Sequence, residues 1–295
     1  MGKVWLLGVF LLLSAVSFSQ KVHIGVFGGL SAYQGDLVDK IFPKKVTNGA
    51  IGVTVNYELM EQLLIRGGFT YSVIGGADRF SSNDSLIARN LASETKISEF
   101  SLLGEYYLFN LYNQKFSPYI FAGLAVYHFD PYAFNGTTDK IFLKPLSTEG
   151  QGLSQYPDRK AYSLTQLALP FGGGVKYAFT DNLRVGLELG MRKLFTDYLD
   201  DVSTTYADYN DLLTEKGQLA VDMAYRGDEL PGGNPSYPAK GAQRGGAQHK
   251  DWYYFLGLHL TYRLGSGDSG GGVYGGKIKG GKKRGYGCPH AAGNW

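Results

Sequence analysis

The chain has 295 residues with a formal net charge of +3, 44% hydrophobic, 19% charged and 14% aromatic residues, 42 Gly and one Cys. Mean hydropathy is −0.16, and past the leader no apolar run approaches the roughly 18 residues of a membrane-spanning helix. With 22 Tyr and 17 Phe the chain is too aromatic to be disordered. A lone Cys builds neither an internal disulfide framework nor a four-thiolate zinc site. What remains is a Gly- and Tyr-rich protein made mainly of strands.

Residues 1–19 carry a basic start at Lys3, an apolar core from Val4 to Val16, and small residues Ser17 and Ser19 spaced for cleavage before Gln20. This reads as a secretory signal peptide rather than an anchoring helix, because the apolar stretch is short and no stop-transfer pattern follows. The mature chain is therefore expected in an oxidising compartment, and no Cys follows the signal core as a lipid attachment would need.

Eight segments then alternate apolar and polar residues with period 2: Val22 to Tyr33, Ile51 to Leu59, Leu63 to Ile74, Ile97 to Phe109, Tyr119 to Phe129, Leu164 to Phe179, Leu183 to Leu194 and Trp252 to Leu264. Several reach about ten residues, the length of a tilted membrane strand, where soluble strands average five or six. The connections alternate strictly. Those at Gln34 to Asn48, Gly75 to Lys96, Asp130 to Ser163 and Phe195 to Asp251 are long; those around Met60 to Gln62, Asn110 to Lys115 and Thr180 to Asn182 are tight turns. An outer-membrane barrel with both mature termini in the periplasm requires this order, with short periplasmic turns and long external loops.

The last segment presents Trp252, Tyr254, Leu256, Leu258, Leu260, Tyr262 and Leu264 on one face, with aromatics near both ends, as a lipid-facing strand does. Inward positions collect Glu58, Glu99, Glu105 and Glu188 against Arg66, Lys176, Arg184, Arg192 and Arg263. Eight strands enclose only enough space for side chains, and unpaired buried charges cost several kcal/mol each, so these residues are expected to pair into a plugged lumen with no pore. Pro170, followed by Gly172, Gly173 and Gly174, interrupts a closed ladder and predicts a bulge or sharp bend.

Asp197, Asp200, Asp201, Asp208 and Asp211 crowd the last long connection, ahead of a Gly/Pro stretch at 227–246. Calcium-loop spacing ending in a bidentate Glu is absent, so the expectation is a solvated acidic loop and no metal site. Leu212 to Ala224 reads as a short loop helix against the barrel rim. The five His are scattered, and no phosphate loop, dinucleotide fingerprint or His-Glu metal motif appears. No cofactor and no enzymatic activity are expected; a rim hydrolase would have to use Asp251 with His249. Residues 265–295 form a Gly-rich basic tail with Lys277, Lys279, Lys282, Lys283, Arg284 and the single Cys288. Its compartment disfavours nucleic acid, whereas an acidic protein surface or lipid head groups suit it, and a single thiol in an oxidising compartment suggests an intermolecular disulfide.

Taken together, Ser31 to Leu37, Pro118 to Gly123 leading to His128 and Phe129, Gly150 to Gly152, Tyr162 to Gln166, and Gly190 to Lys193 through Thr196 to Ser203 resemble the PorG-like outer-membrane proteins of Bacteroidota. The resemblance covers essentially the whole mature chain, and Tyr198 to Ser203 is its most specific part. It implies a non-enzymatic barrel of the type IX secretion and gliding machinery, fastening a periplasmic ring of a PorK-like lipoprotein and a PorN-like subunit to the outer membrane. Residues 1–19 are then the signal peptide, 20–264 an eight-stranded antiparallel transmembrane barrel, and 265–295 a periplasmic tail contacting the ring through Cys288 and its lysines. The alternative is a small plugged barrel that works in adhesion or membrane stability through its external loops.

Overall fold

The computed structural model describes residues 21–38, 47–136, 139–246 and 250–264. The signal peptide, residues 265–295 with Lys277, Lys279, Lys282, Lys283, Arg284 and Cys288, and His249 lie outside the described residues. Strands run β1 (Val22–Gln34), β2 (Asn48–Met60), β3 (Leu63–Ala77), β4 (Ala92–Tyr107), β5 (Phe116–Asn135), β6 (Asp139–Phe142), β7 (Thr165–Ala178), β8 (Leu183–Leu194) and β9 (Trp252–Arg263). All pairings are antiparallel. Each strand neighbours the next in sequence, apart from the short β6, and β1 pairs with β9 to close an eight-stranded barrel.

Closure leaves no free barrel edge, so every strand can present one face to lipid and one to the lumen. Outward positions carry Ile24, Val26, Val53, Val55, Leu102, Leu124, Val126, Leu187, Leu258 and Leu260, all exposed, while their inward neighbours are buried or half-buried. Tyr106, Tyr177 and Tyr262 flank this apolar belt at the short-turn end, where their amphipathic rings suit a membrane interface. Outside, Trp252 meets Phe171 edge-on at 6.0 Å. A closed barrel with an apolar belt is an outer-membrane-type architecture. Both barrel termini lie at the short-turn end, where the Leu264 amide donates to the Val22 carbonyl at 2.8 Å.

Three expectations need correcting. No bulge forms at Pro170: β7 keeps a single register against β8 from Ala168 to Ala178, and the same register against β5 on both sides of the proline. Only the two pairs that would join Leu169 and Pro170 to β5 are missing, because proline removes a donor without adding a residue. The register shift that does occur lies between Glu58 and Met60, next to a turn. Next, Asp130 does not begin a loop. β5 runs on to Asn135 and folds back through β6 as a ninth strand above the barrel.

The loop helix is also two helices, α2 (Tyr209–Lys216) and α3 (Gln218–Ala224), broken at Gly217 with φ +85°. Asp208 caps the first by accepting the amides of Asn210 and Asp211. A further one-turn helix, α1 (Asp84–Arg89), sits in the loop after β3 and is capped by Asn83. Leu212, Ala220, Val221 and Ala224 pack with Leu153 and Tyr156, so the helices join the other loops into one cluster.

Candidate functional site

Inward charges of the barrel fall into three tiers. Nearest the short turns, Glu58 accepts from the Tyr112 hydroxyl at 2.6 Å and meets His23 Nε2 at 3.1 Å, with Arg184 at 4.0 Å. Tyr112 reaches this site because Asn110 builds a side-chain turn, accepting the Tyr112 amide at 2.8 Å, which folds the β4–β5 connection under the barrel mouth. Arg184 and Arg263 lie over the same Tyr112 ring, 5.0 and 5.3 Å from its centre.

In the middle tier Arg66 forks onto Glu188 at 2.5 and 3.1 Å and meets Glu105 at 3.2 Å. Lys176 donates to Glu105 and, at 2.8 Å, to the Tyr107 hydroxyl, while Tyr119 donates to Glu188 at 2.7 Å. Towards the long loops, Arg192 donates to Glu99 at 3.0 and 3.2 Å and Tyr253 adds a bond of 2.6 Å. All nine charged residues singled out from the sequence are thus buried in one lumen, eight of them in ion pairs and Arg263 over the Tyr112 ring. The space left between the upper tiers, lined by Phe27, Thr54, Arg66, Glu188, Arg192 and His259, is about 20 Å³, room for one water.

Above the lumen the long loops form a polar plug that sequence reading did not foresee. Glu149 accepts the amides of Ser203 and Thr204 at 2.9 Å each, the Thr204 hydroxyl at 2.6 Å and Arg244 Nη1 at 2.9 Å. Arg244 passes on to the Asp201 carbonyl at 2.7 Å and the Ala224 carbonyl at 3.2 Å. Arg89 forks onto Asp78 at 2.7 Å twice and reaches the Asp36 carbonyl at 3.1 Å. Four loops are therefore tied by two guanidinium groups. Stacked rings seal the mouth below, with Tyr162 4.9 Å from Tyr198 and 6.1 Å from Phe129.

The solvated acidic loop is overturned here, because Asp197, Asp200 and Asp201 are all buried; only Asp208 and Asp211 stay partly open. Asp201 accepts from Thr148 at 2.5 Å and Tyr162 at 2.7 Å, and burial lifts it to about 6 against the pull of Arg244. Asp200 accepts from Tyr33 at 2.8 Å and from the Val202 amide at 3.0 Å; burial, then Asp36, hold it well above the ordinary carboxylate value. Among the described residues no three His, Cys, Asp or Glu side chains converge as metal ligands would. Nothing in the sequence marks Glu149, Arg244, Arg89 or Asp78 as partners, because loops have no period from which to read contacts.

Fold and interior together define a sealed outer-membrane β-barrel with a loop-built plug. The chain belongs to the family described as a domain of unknown function, DUF6089, whose match spans residues 3–225. No curated protein matches it. Among solved structures it is similar to Neisserial surface protein A, with 9% identity, a TM-score of 0.41, and 82% of this chain and 97% of that one covered. It is also similar to OprG of Pseudomonas aeruginosa, with 11% identity, a TM-score of 0.38, and 84% and 100% covered. A major outer membrane protein of Thermus thermophilus has 14% identity, a TM-score of 0.38, and 82% and 99% covered.

Proposed function

We propose that this protein is a structural outer-membrane component of type IX secretion, anchoring a periplasmic ring of PorK-like and PorN-like subunits. The observation that carries the reading is the position of the barrel's ends. β1 begins and β9 ends at the short-turn side, which in outer-membrane barrels faces the periplasm, so Leu264, where the barrel ends, lies on the side away from the loop plug. The filled lumen supports an anchor over a channel, and the resemblance to PorG-like proteins of Bacteroidota supplies the machine. In this reading Cys288 forms a disulfide with a ring subunit, and Lys277, Lys279, Lys282, Lys283 and Arg284 contact its acidic surface.

The test is a chain ending at Leu264, which keeps every strand, scored for membrane insertion and for secretion of type IX cargo. Normal insertion with lost secretion is expected; normal secretion would overturn the anchor. A second reading, adhesion or membrane stability through the external loops, is favoured by one feature. A cleft of about 1070 Å³ opens among the long loops between α1 and residues 230–246, with Arg89, Tyr206, Tyr225 and Arg244 in its wall.

A further inference from the structure

The acids of the plug differ in their partners, and Asp201 is held by the Thr148 and Tyr162 hydroxyls within the field of Arg244. Asp78 and Glu149 each face a guanidinium, with Arg89 at 2.7 Å and Arg244 at 2.9 Å. Asp36, Asp197, Asp200 and Asp251 have no ion-pair partner among the described residues, although Asp197, Asp200 and Asp251 are at most 3% exposed. Their bonds come from neutral donors. Asp36 accepts the Gly246 amide on both oxygens at 2.9 and 3.1 Å, and Asp197 accepts the Ser203 hydroxyl at 2.8 Å. Asp251 accepts the Leu199 amide at 2.9 Å on one oxygen. Its other oxygen has no hydrogen-bond partner and is packed against Gly35, where an added Cβ would lie only 2.2 Å away.

Three of these carboxyls come from two ends of one connection, Asp197 and Asp200 just after β8 and Asp251 just before β9, and Asp36 follows β1. They face few other charges. Tyr33 of β1 donates to Asp200, and Tyr127 of β5 has a buried hydroxyl without a partner. Tyr198 is engaged with Glu149, and Tyr162 and Thr148 with Asp201. Arg89 and Arg244 are committed to Asp78 and Glu149, and Lys250 is exposed at the rim. Several desolvated like charges cannot all ionise side by side.

The geometry points to a proton latch: the buried Asp197, Asp200 and Asp251 hold protons while residues 196–203 are seated over the barrel mouth beside Asp36, and release them to solvent when that segment lifts. Burial raises Asp197 to about 7 and pushes Asp200 and Asp251 well above the usual carboxylate range, with Asp36 raised in the same direction. An Asp whose folded value exceeds its unfolded value of about 3.9 contributes fully below the latter and loses that contribution as pH rises through the folded value. The plug is therefore tightest in acid and loosens as the medium passes neutrality.

The test is amide hydrogen exchange on the full mature chain refolded in detergent, at pH 5 and pH 8, corrected for intrinsic rates. Protection of residues 196–203 is expected to fall about tenfold or more at pH 8, the effect of one pKa unit, while residues 183–194 of β8 keep theirs. In Asp200→Asn/Asp251→Asn the difference between the two pH values should shrink, and Asp251→Asn alone serves if the pair does not fold. Equal protection at both pH values in the wild-type chain would overturn the latch. So would protection at pH 8 that appears only with added calcium and is lost to a chelator, which would assign the cluster to a cation.

Discussion

Arg66, Lys176 and Arg192 in the lumen each have two kinds of support, a counter-charge and an aromatic face. Arg66 lies 4.8 Å from the centre of Phe121, Lys176 4.7 Å from Tyr119, and Arg192 4.3 Å from Phe255. A desolvated cation gains about 2 kcal/mol from such a ring, which helps offset the cost of taking it out of water. Glu105 shows how closely the network is balanced, since it alone faces both Lys176 and Arg66. Replacing it strands Lys176, whereas Arg66 keeps its fork on Glu188, so Glu105→Gln is expected to destabilise the folded barrel by about 3 kcal/mol, measured by urea titration in lipid vesicles. Glu105→Gln combined with Lys176→Met should cost less than the sum of the two single changes, because the double variant removes a pair rather than orphaning a charge. Strict additivity would mean that the two side chains do not act as a pair.

At the scale of the strand, β5 and β7 meet where neither has ordinary requirements. Gly123 stands opposite Pro170, and the ladder between them is open at this point. On its other side Gly123 lies so close to β4 that an added Cβ would fall 2.1 Å from the Leu102 carbonyl and 2.8 Å from the Leu103 Cα. Backbone atoms cannot yield as a side-chain tip can, so Gly123→Val should cost about 2 kcal/mol or more. It should show as a reduced share of compact, unheated barrel on a denaturing gel. Gly28→Val is the control: a Cβ there meets nothing within 4 Å, and the outward-facing position takes an apolar side chain into lipid. Equal loss in both variants would refute the close-approach argument.

Two elements depart from what their local sequence predicts. Proline was expected to bend β7 because a closed barrel has no edge to hide a missing donor. The chain instead leaves two pairs unmade and keeps its register, which costs less than displacing every later side chain to the other face. In the α2–α3 region an apolar run suggested a single helix. Gly217, at φ +85°, turns the chain there so that Leu212 and Val221 both reach the loop cluster.

For the whole molecule, the tiers of ion pairs, the aromatic lid at Phe129, Tyr162 and Tyr198, and the plug tied by Arg89 and Arg244 close the path through the barrel in series. The purified chain reconstituted in a planar bilayer is expected to give no stepwise conductance. Sustained open levels at neutral pH would show that the plug and the tiers part more readily than their packing implies. The molecule is accordingly polarised: its ordered loops crowd one end, and its two barrel termini leave from the other.

Much of this was legible in the chain itself. Period-2 alternation located all eight barrel strands and separated lipid-facing from lumen-facing residues, because in a strand the face follows from parity alone. The same parity gathered Glu58, Arg66, Glu99, Glu105, Lys176, Arg184, Glu188, Arg192 and Arg263 into one interior, and near balance of sign implied that they pair. Long and short connections fixed which end each turn occupies. Parity cannot say which acid meets which base across a barrel, since that depends on register and tilt summed over several strands; Arg66 reaching Glu188, 122 residues away, is such a case. Nor does any period run through the loops. The burial of Asp197, Asp200 and Asp201, the meeting of Glu149 with Arg244, and the extension of β5 into β6 were decided only when four connections of unrelated sequence were brought over one barrel mouth. There, exclusion of water turned an acidic run that would otherwise be solvated into a packed and tightly hydrogen-bonded plug.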